Sequence, residues 1–334
     1  MIHEGKYEKF KSNDLESLVK IDPFEIMEGI FGGKYLEYRR NWKDTHEEYR
    51  DSKFPLHIDV DLEDACNQNC AMCHQKYRSR NGATMTWVLL KKIIDEGVQN
   101  GLCAINFGSS AEPLLQKELL MKGINYCNEN QIMDIFLHTN GLLLDSEFAL
   151  LLIDSGLRHI CISIDAATVE RYKKSRRSND YDKIVENILN FIKNRERRSK
   201  SFPTVRVSFC VNPTNYTEKA MFKEFWADKV DIVEFQGFRH INETPATGGE
   251  FEKVKIKCSS PFRRVMIWPE GDMSLCCGYK SPDVTLGNVL NSSIISLWNS
   301  DKMNKIRESF KGNEKMPETC LKCLDSNYHI KNKA

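Results

Sequence analysis

The sequence predicts an α/β fold, a partial (β/α)6 barrel followed by a small C-terminal α+β domain, and three observations carry that expectation. Short β-type runs alternate with helical stretches between residues 56 and 245. Those runs are apolar on one face and polar on the other. After about residue 250 the alternation stops and a hairpin and a helix take its place. The expected division is therefore a helix-leaning extension over 1–55, a barrel over 56–245 and a second domain over 250–334.

The extension is polar, with an aromatic and charged stretch from Tyr35 to Tyr49, and reads as a packing piece without chemistry of its own. From Pro55 onward the strand candidates are 57–63, 104–107, 133–138, 159–164, 204–211 and 230–235. Helical stretches at 87–98, 114–128, 146–155, 181–194 and 218–226 lie between them, the first with Leu90, Ile94 and Val98 four apart. Such alternation implies a parallel sheet with right-handed crossovers, either open or curled.

Side-chain parity decides between those two. The first strand puts Ile58, Val60 and Leu62 on one face and His57, Asp59, Asp61 and Glu63 on the other. Later strands repeat this, with Cys161, Ser163 and Asp165, then Arg206, Ser208 and Cys210, then Glu234 and Gln236 on the polar side. A doubly wound sheet buries both faces and reads as continuous apolar runs. A closed eight-stranded barrel fills its lumen with branched apolar side chains. One polar face suits a partial barrel with helices outside and a polar cavity within. In the second domain, runs at 265–268 and 273–276 flank Pro269-Glu270-Gly271-Asp272 as a hairpin, and a helix over 294–310 follows.

Formal net charge is +1 with 28% charged residues, so no global field draws the chain to nucleic acid or an anionic membrane. The basic runs near Arg171–Arg177 and Lys193–Lys200 read as solvated helix faces. No signal peptide opens the chain and no apolar run approaches the roughly 20 residues that span a bilayer, so the expected location is cytoplasmic. Twelve cysteines in a reducing compartment point to metal ligation or buried thiols. Cys103, Cys127, Cys161 and Cys210 lack metal spacing and read as small buried hydrophobes.

Cys66, Cys70 and Cys73 form a C-x3-C-x2-C run just after the first strand. Three thiolates in one loop hold three irons of a [4Fe–4S] cube and leave the fourth open for chemistry. Cys70 to His74 also matches the C-x-x-C-H haem attachment motif, but that chemistry occurs outside the cytoplasm and leaves Cys66 unused. A zinc site from Cys66, Cys70, Cys73 and His74 is sterically awkward.

A C-x3-C-x2-C loop after the first strand of such a repeat resembles the radical S-adenosylmethionine (SAM) superfamily. That family usually carries an aromatic residue before the third cysteine, where this chain has Met72, polarizable enough to pack on an adenine. Phe107-Gly108-Ser109-Ser110-Ala111-Glu112-Pro113 resembles the Gly-Gly-Glu-Pro segment that receives the SAM amino group, with Ser110 and Ala111 in place of the glycines and Glu112 kept. Thr139-Asn140-Gly141 resembles the family's Thr-Asn-Gly turn. Ser163-Ile164-Asp165-Ala166 with Glu170 and Tyr172 resembles Ser-x-Asp-Gly…Glu-x-Tyr, which makes Ser163 an expected SAM contact. Ser208, on the same polar face, joins it as a candidate, and Arg176 falls where relatives often meet the SAM carboxylate.

Cys258, Cys276, Cys320 and Cys323 form a second set. Alone they fit a closed four-cysteine zinc site equally well. In context, with Pro269-Glu270-Gly271, Gly287-Asn288-Val289 and Ser296-Leu297-Trp298-Asn299, they resemble the SPASM domain. Only Cys-x2-Cys ends this array, which resembles the truncated twitch form with one four-cysteine auxiliary [4Fe–4S] cluster. Cys276 stands in the family relation to Gly271, which leaves Cys277 as its bystander. The cysteine arrangement is similar to that of the 2-deoxy-scyllo-inosamine dehydrogenases, which oxidise an aminocyclitol.

The resemblance implies that SAM is cleaved to a 5′-deoxyadenosyl radical, which takes a hydrogen atom from substrate carbon. A fully ligated auxiliary cluster would then accept an electron, completing a two-electron oxidation of a small polar metabolite of amino sugar or cyclitol type. Asp59, Asp61 and Glu234 are candidate bases and Arg206 a candidate substrate anchor. A one-electron reductant such as flavodoxin or ferredoxin is an implied partner. Ribosomal-peptide maturation, and redox-neutral sugar epimerisation with Cys161 or Cys210 returning a hydrogen atom, are the alternative reactions.

Overall fold

The structure is a computed structural model that describes residues 15–73, 81–239, 251–253, 256–278 and 280–330. His74, residues 1–14 of the extension, the domain boundary expected between 245 and 250, and the basic tail lie outside the described residues. The chain begins with β1 (Leu15–Val19), α1 (Pro23–Phe31) and α2 (Gly33–Glu47). The barrel follows as β2 (His57–Val60), α3 (Trp87–Gln99), β3 (Ala104–Phe107), α4 (Lys117–Glu129), β4 (Asp134–Thr139), α5 (Ser146–Asp154) and β5 (His159–Ser163). It continues with α6 (Val169–Arg176), α7 (Tyr181–Arg197), β6 (Thr204–Val211), α8 (Lys219–Trp226) and β7 (Ile232–Arg239). The remainder is β8 (Phe251–Lys253), α9 (Ser260–Arg263), β9 (Arg264–Ile267), β10 (Asp272–Ser274), β11 (Thr285–Asn288), α10 (Ile294–Trp298), α11 (Asp301–Lys311), α12 (Glu318–Leu324) and β12 (Asn327–Ile330).

Strands β2 to β7 pair in parallel in sequence order, the six-stranded repeat read from the sequence. Their outward side chains, among them Ile58, Val60, Ile105, Phe107, Ile135, Leu137, Ile160, Ile162, Val205 and Val207, are fully buried under the helices. Each such burial stabilises by about 1.5–3 kcal/mol. Helix α3 starts at Thr86, whose hydroxyl accepts from the Leu89 N–H, and α6 starts at Thr168, which accepts from Arg171. Ile93 and Gly97, rather than the expected Val98, complete the buried stripe of α3; Val98 is 37% exposed.

The sequence missed several long-range features. The described part of the extension contains a strand: β1 pairs antiparallel with β7, matching Leu18 to Val233, and covers that edge. Helices α1 and α2 pack beneath the N-terminal ends of the strands, where Met27, Tyr35 and Tyr38 meet Ala104, Phe136 and Phe202. The C-terminal segment continues the barrel sheet. β9 pairs in parallel with β2, placing Arg264 beside His57, and β10 pairs antiparallel with β9. β12 returns to pair antiparallel with β7 and with β8. The result is a 12-stranded sheet in which the C-terminal segment touches both the first and last barrel strands. The expected helix over 294–310 is two helices, because Ser300 caps a new start by accepting from the Met303 N–H. The hairpin turn needs Gly271, whose φ is +91° and whose N–H donates to the Trp268 carbonyl at 2.8 Å.

Candidate active site

The polar loops gather at the C-terminal ends of the parallel strands, where barrels place their chemistry. Asp61, just past β2, accepts from the backbone N–H groups of Ser109 (2.9 Å) and Ser110 (3.1 Å), fixing the loop after β3. Gly108 opens that loop at φ +88°, and a Cβ there would lie 2.3 Å from the His138 carbonyl oxygen, so no other residue fits. Glu112 is a buried clamp. Its carboxylate accepts from the Thr139 hydroxyl (2.7 Å), the Asn140 N–H (2.8 Å) and the Leu114 N–H (3.1 Å). Its own N–H donates to the Ala65 carbonyl in the cysteine loop. Burial pushes the Glu112 carboxyl up, against the pull of those donors. Asn140 then reaches the cysteine loop, donating to Asn67 Oδ1 at 2.7 Å and lying 3.9 Å from Cys66 Sγ.

Helix α6 holds the same loop from the other side. Gln68 Nε2 donates to the Tyr172 hydroxyl (2.8 Å) and the Ala71 N–H to the Ser175 carbonyl (2.8 Å). Arg176 Nη1 approaches Cys70 Sγ at 3.5 Å while its Nη2 pairs with Asp165. Burial alone would lower the Arg176 pKa, yet Asp165 and then Cys70 hold the guanidinium charged, above its ordinary value. The structure places Arg176, the expected partner of the SAM carboxylate, on the cysteine loop itself. Its guanidinium is committed to Asp165 and Cys70. Three cysteines on one loop, held by Asn140 on one side and by α6 on the other, are a donor set that fits a cluster with one open iron. Ser208 donates to Ser163 at 3.3 Å across β6 and β5. Met72 is half-buried beside Cys73, and Ala111 follows Ser110 at the rim.

Six side chains form a hydrogen-bonded row across the lumen. Arg206 pairs with Glu234 (2.9 Å) and donates to His138 Nε2 (3.1 Å). His138 Nδ1 lies 2.6 Å from Asn106 Oδ1, an acceptor, which assigns the imidazole proton to Nδ1. Asn106 donates to Asp59 (2.8 Å), and Arg264 grips the same carboxylate through Nε (2.9 Å) and Nη2 (2.7 Å to Oδ1). Burial, then Arg206, pushes His138 down to about 3, so it is a neutral ring. Burial opposes charge on Asp59, but Arg264, then His57 and Asn106, hold its carboxyl well below the usual range. Asp59 is therefore the ion-pair partner of Arg264, and Asp61 accepts from two backbone N–H groups through its Oδ1. Glu234, a candidate base, and Arg206, the candidate anchor, lie together as an ion pair. Asn106, His138, Arg264 and Asp165 were missed as partners; period-two parity would have shown the first two facing inward. Of the cysteines outside the two metal sets, Cys127 and Cys161 are buried as expected, whereas Cys103 and Cys210 are half-buried.

Cys258 precedes α9, Cys276 follows β10, and Cys320 and Cys323 sit on or beside α12, which is anchored where Thr319 donates to Asp283 (2.8 and 2.9 Å). Burial, and then the neighbouring Cys276, Cys258 and Cys323 thiols, push the Cys320 thiol up. Cys320 thus lies near the other three cysteines, and four cysteine sulfurs are a donor set that fits an iron–sulfur cluster. Cys277 is a leading influence, after Asp59, in keeping Arg264 charged, and its carbonyl accepts from the Ser110 hydroxyl at 3.3 Å. The auxiliary loop thus touches the loop after β3. No disulfide joins any of the twelve cysteines. Among the described residues no three His, Cys, Asp or Glu side chains converge as they would on a single ion, whereas a cube spreads its thiolates over separate irons. No helix among the described residues is long and apolar enough to cross a membrane.

Residues 63–206 match the model of the radical SAM superfamily, and residues 258–324 match that of SPASM, an iron–sulfur cluster-binding domain. Among curated relatives, the GTP 3′,8-cyclase of Alkaliphilus metalliredigens is 32% identical over 39% of this chain and 41% of its own length. A probable GTP 3′,8-cyclase of Methanocaldococcus jannaschii is 29% identical over 53% of this chain and 57% of its own. The chain thus spans about two fifths to three fifths of the length of these relatives. Among solved structures, Streptococcus suis SuiB bound to S-adenosylmethionine aligns with a TM-score of 0.60 at 14% identity, over 82% of this chain and 72% of that one. BtrN in complex with AdoMet and 2-DOIA gives 0.53 at 16% identity, over 79% and 89%. These likenesses show the fold. Together the two matched models indicate a SAM-binding [4Fe–4S] cluster in the first domain and an auxiliary cluster in the second. The chain carries a radical SAM domain over residues 63–206 and, completing its sheet, a SPASM iron–sulfur domain over residues 258–324.

Proposed function

We propose that the protein oxidises a small polar, hydroxylated metabolite of amino sugar or cyclitol type by two electrons. What supports this reading is the match of the segment holding Cys258, Cys276, Cys320 and Cys323 to an iron–sulfur cluster-binding domain, together with the bond from Ser110, in the loop after β3, to the Cys277 carbonyl of that segment. Four protein thiolates leave no open iron for substrate, so that cluster's remaining role is to take an electron. When bound, SAM on the open-iron cluster supplies a carbon radical that takes one hydrogen atom, and the auxiliary cluster takes one electron. A carbinol that loses a hydrogen atom, an electron and its hydroxyl proton becomes a carbonyl, and the balance closes.

The chain's own residues supply positioning and proton transfer. Cys66, Cys70 and Cys73 are the proposed ligands of the SAM-binding cluster, with Ser110, Ala111, Glu112, Asn140, Ser163 and Ser208 lining the SAM side. Glu234 is the proposed proton acceptor and Arg206 orients it while presenting a donor to substrate hydroxyls. The polar lumen row suits hydroxyl and amino groups, each of which finds a donor or acceptor there.

The test is an iron and sulfide count on anaerobically reconstituted protein, paired with mass analysis of amino sugars and aminocyclitols. About eight irons in wild type and about four after Cys66, Cys70 and Cys73→Ala, with a product two hydrogens lighter, support the reading. About four in wild type and almost none in the variant remove the electron acceptor and bring epimerisation forward. Two competing substrates enter the same assay: GTP, after the cyclase relatives, and a peptide, after SuiB, which has been solved bound to its precursor peptide SuiA.

A further inference from the structure

The turn from β5 into α6 carries a residue in an unusual backbone state. Asp165 sits at φ +61°, in the left-handed region that residues other than glycine rarely occupy. Three contacts hold it there. Its Oδ1 accepts from the Cys210 N–H at 2.6 Å, its carbonyl accepts from Asn215 Nδ2 at 3.0 Å, and its Oδ2 pairs with Arg176 Nη2. Backbone strain of this kind persists only where the surroundings over-determine it, and it gathers at functional sites. What this strained residue fixes is a guanidinium. Arg176 is only 8% exposed, and its Nε donates to the Ile164 carbonyl at 3.4 Å. Its Nη1 is thereby aimed at Cys70 Sγ, 3.5 Å away. Cys66, by contrast, meets the neutral amide of Asn140 at 3.9 Å.

We propose that Arg176 raises the reduction potential of the SAM-binding cluster by donating a charged hydrogen bond to Cys70 Sγ, and that Asp165 positions and moderates that charge. The proposal rests on Cys66, Cys70 and Cys73 holding that cluster. Net charge, hydrogen bonds to sulfur and solvent exposure set such potentials. Reduction adds one electron, hence one negative charge, to the cluster, and no bond or proton in the protein changes. A cation beside a ligand sulfur therefore stabilises the reduced state more than the oxidised one. Because the guanidinium is buried, salt and water screen it little. Asp165 opposes that charge through the other terminal nitrogen, so removing either member of the pair shifts the potential in opposite directions.

The test is a mediated redox titration of the cluster-loaded full chain without SAM, with titanium(III) citrate as reductant and electron paramagnetic resonance as the readout. The couple followed is the one that disappears when Cys66, Cys70 and Cys73 are all changed to Ala. Arg176→Gln is expected to disfavour reduction by about tenfold, which lowers a one-electron couple by about 59 mV. Asp165→Asn keeps an acceptor for the Cys210 N–H and removes the counter-charge, so it should favour reduction, by about threefold. Lys174→Gln removes the same charge from the exposed face of α6 and should leave the couple where it is in wild type. An unchanged couple in Arg176→Gln overturns the proposal, and weakened SAM binding alongside it would give Arg176 to the SAM carboxylate instead. Shifts of the same sign in both variants also overturn it, because a disturbed loop does that and a charge does not. Should Arg176→Gln load no iron, Asp165→Asn decides alone, and an unchanged or lowered potential there overturns the proposal. A triple cysteine variant that keeps every couple would sink the ligand reading beneath it.

Discussion

Asp59 and Arg264 face each other across the seam between the first barrel strand and the SPASM hairpin, with Arg264 Nε 2.9 Å from Asp59 Oδ2. The carboxylate is fully buried and a quarter of the arginine side chain is exposed. Asp59→Asn keeps the shape and removes the counter-charge, and should cost about 2–3 kcal/mol in anaerobic urea unfolding. Were Asp59 the catalytic base instead, the variant would keep its stability and lose product formation alone.

Asp61 performs a different task. Asp61→Ala releases the Ser109 and Ser110 N–H groups that it orders, so the loop after β3 loses its fixed shape. SAM should bind about ten- to a hundredfold more weakly, as read by equilibrium binding to reconstituted protein. Unchanged SAM affinity would show that this loop does not contact SAM.

Cys276 and Cys277 are adjacent but unequal. Cys276 is the first of the thiols acting on Cys320, whereas Cys277 acts on Arg264 more strongly than Cys276 does. Cys276→Ser is expected to lower iron content by up to about four per chain, while Cys277→Ser leaves it at the wild-type level. The reverse pattern would exchange their assignments.

Glu234→Gln keeps one acceptor for Arg206 and removes the proton acceptor. Product formation should fall about a hundredfold while SAM cleavage continues, giving 5′-deoxyadenosine without matching product. Parallel loss of both would place Glu234 in the support of the SAM site.

His138 gives the pH dependence a sign. Its pKa falls from 6.5 in the unfolded chain to about 3 in the fold, chiefly by burial. Between those values the unfolded chain binds more protons, so stability is lost as pH falls from about 6.5 toward about 3, by at most about 1.4 kcal/mol per pH unit. Buried His57 is shifted in the same direction and adds to this. Urea midpoints between pH 7 and 5 should show a shallower slope for His138→Gln than for wild type; equal slopes would remove His138 as the cause.

The barrel was legible because its signals are local. Strand parity at Asp59, Arg206 and Glu234 placed the polar face inward, and Cys66, Cys70 and Cys73 sat where the repeat begins. What stayed hidden depends on partners distant in sequence. Nothing around Leu15–Val19 announces a strand until β7 offers an edge. Val265 to Ile267 read as a hairpin arm, but no local pattern states that the arm also lies parallel to β2. Likewise the alternation put Asp59 and Asp61 in the polar set without revealing that one meets Arg264 and the other meets backbone.

The pairing of β9 with β2 also bears on how the chain is made. Asp59 and Arg264 lie 205 residues apart, so the first barrel strand emerges long before the neighbour that flanks it. Contacts of such sequence separation form late and slowly. During synthesis the cysteine loop is therefore present while the sheet beside it is still open, and the last strands act as a clasp.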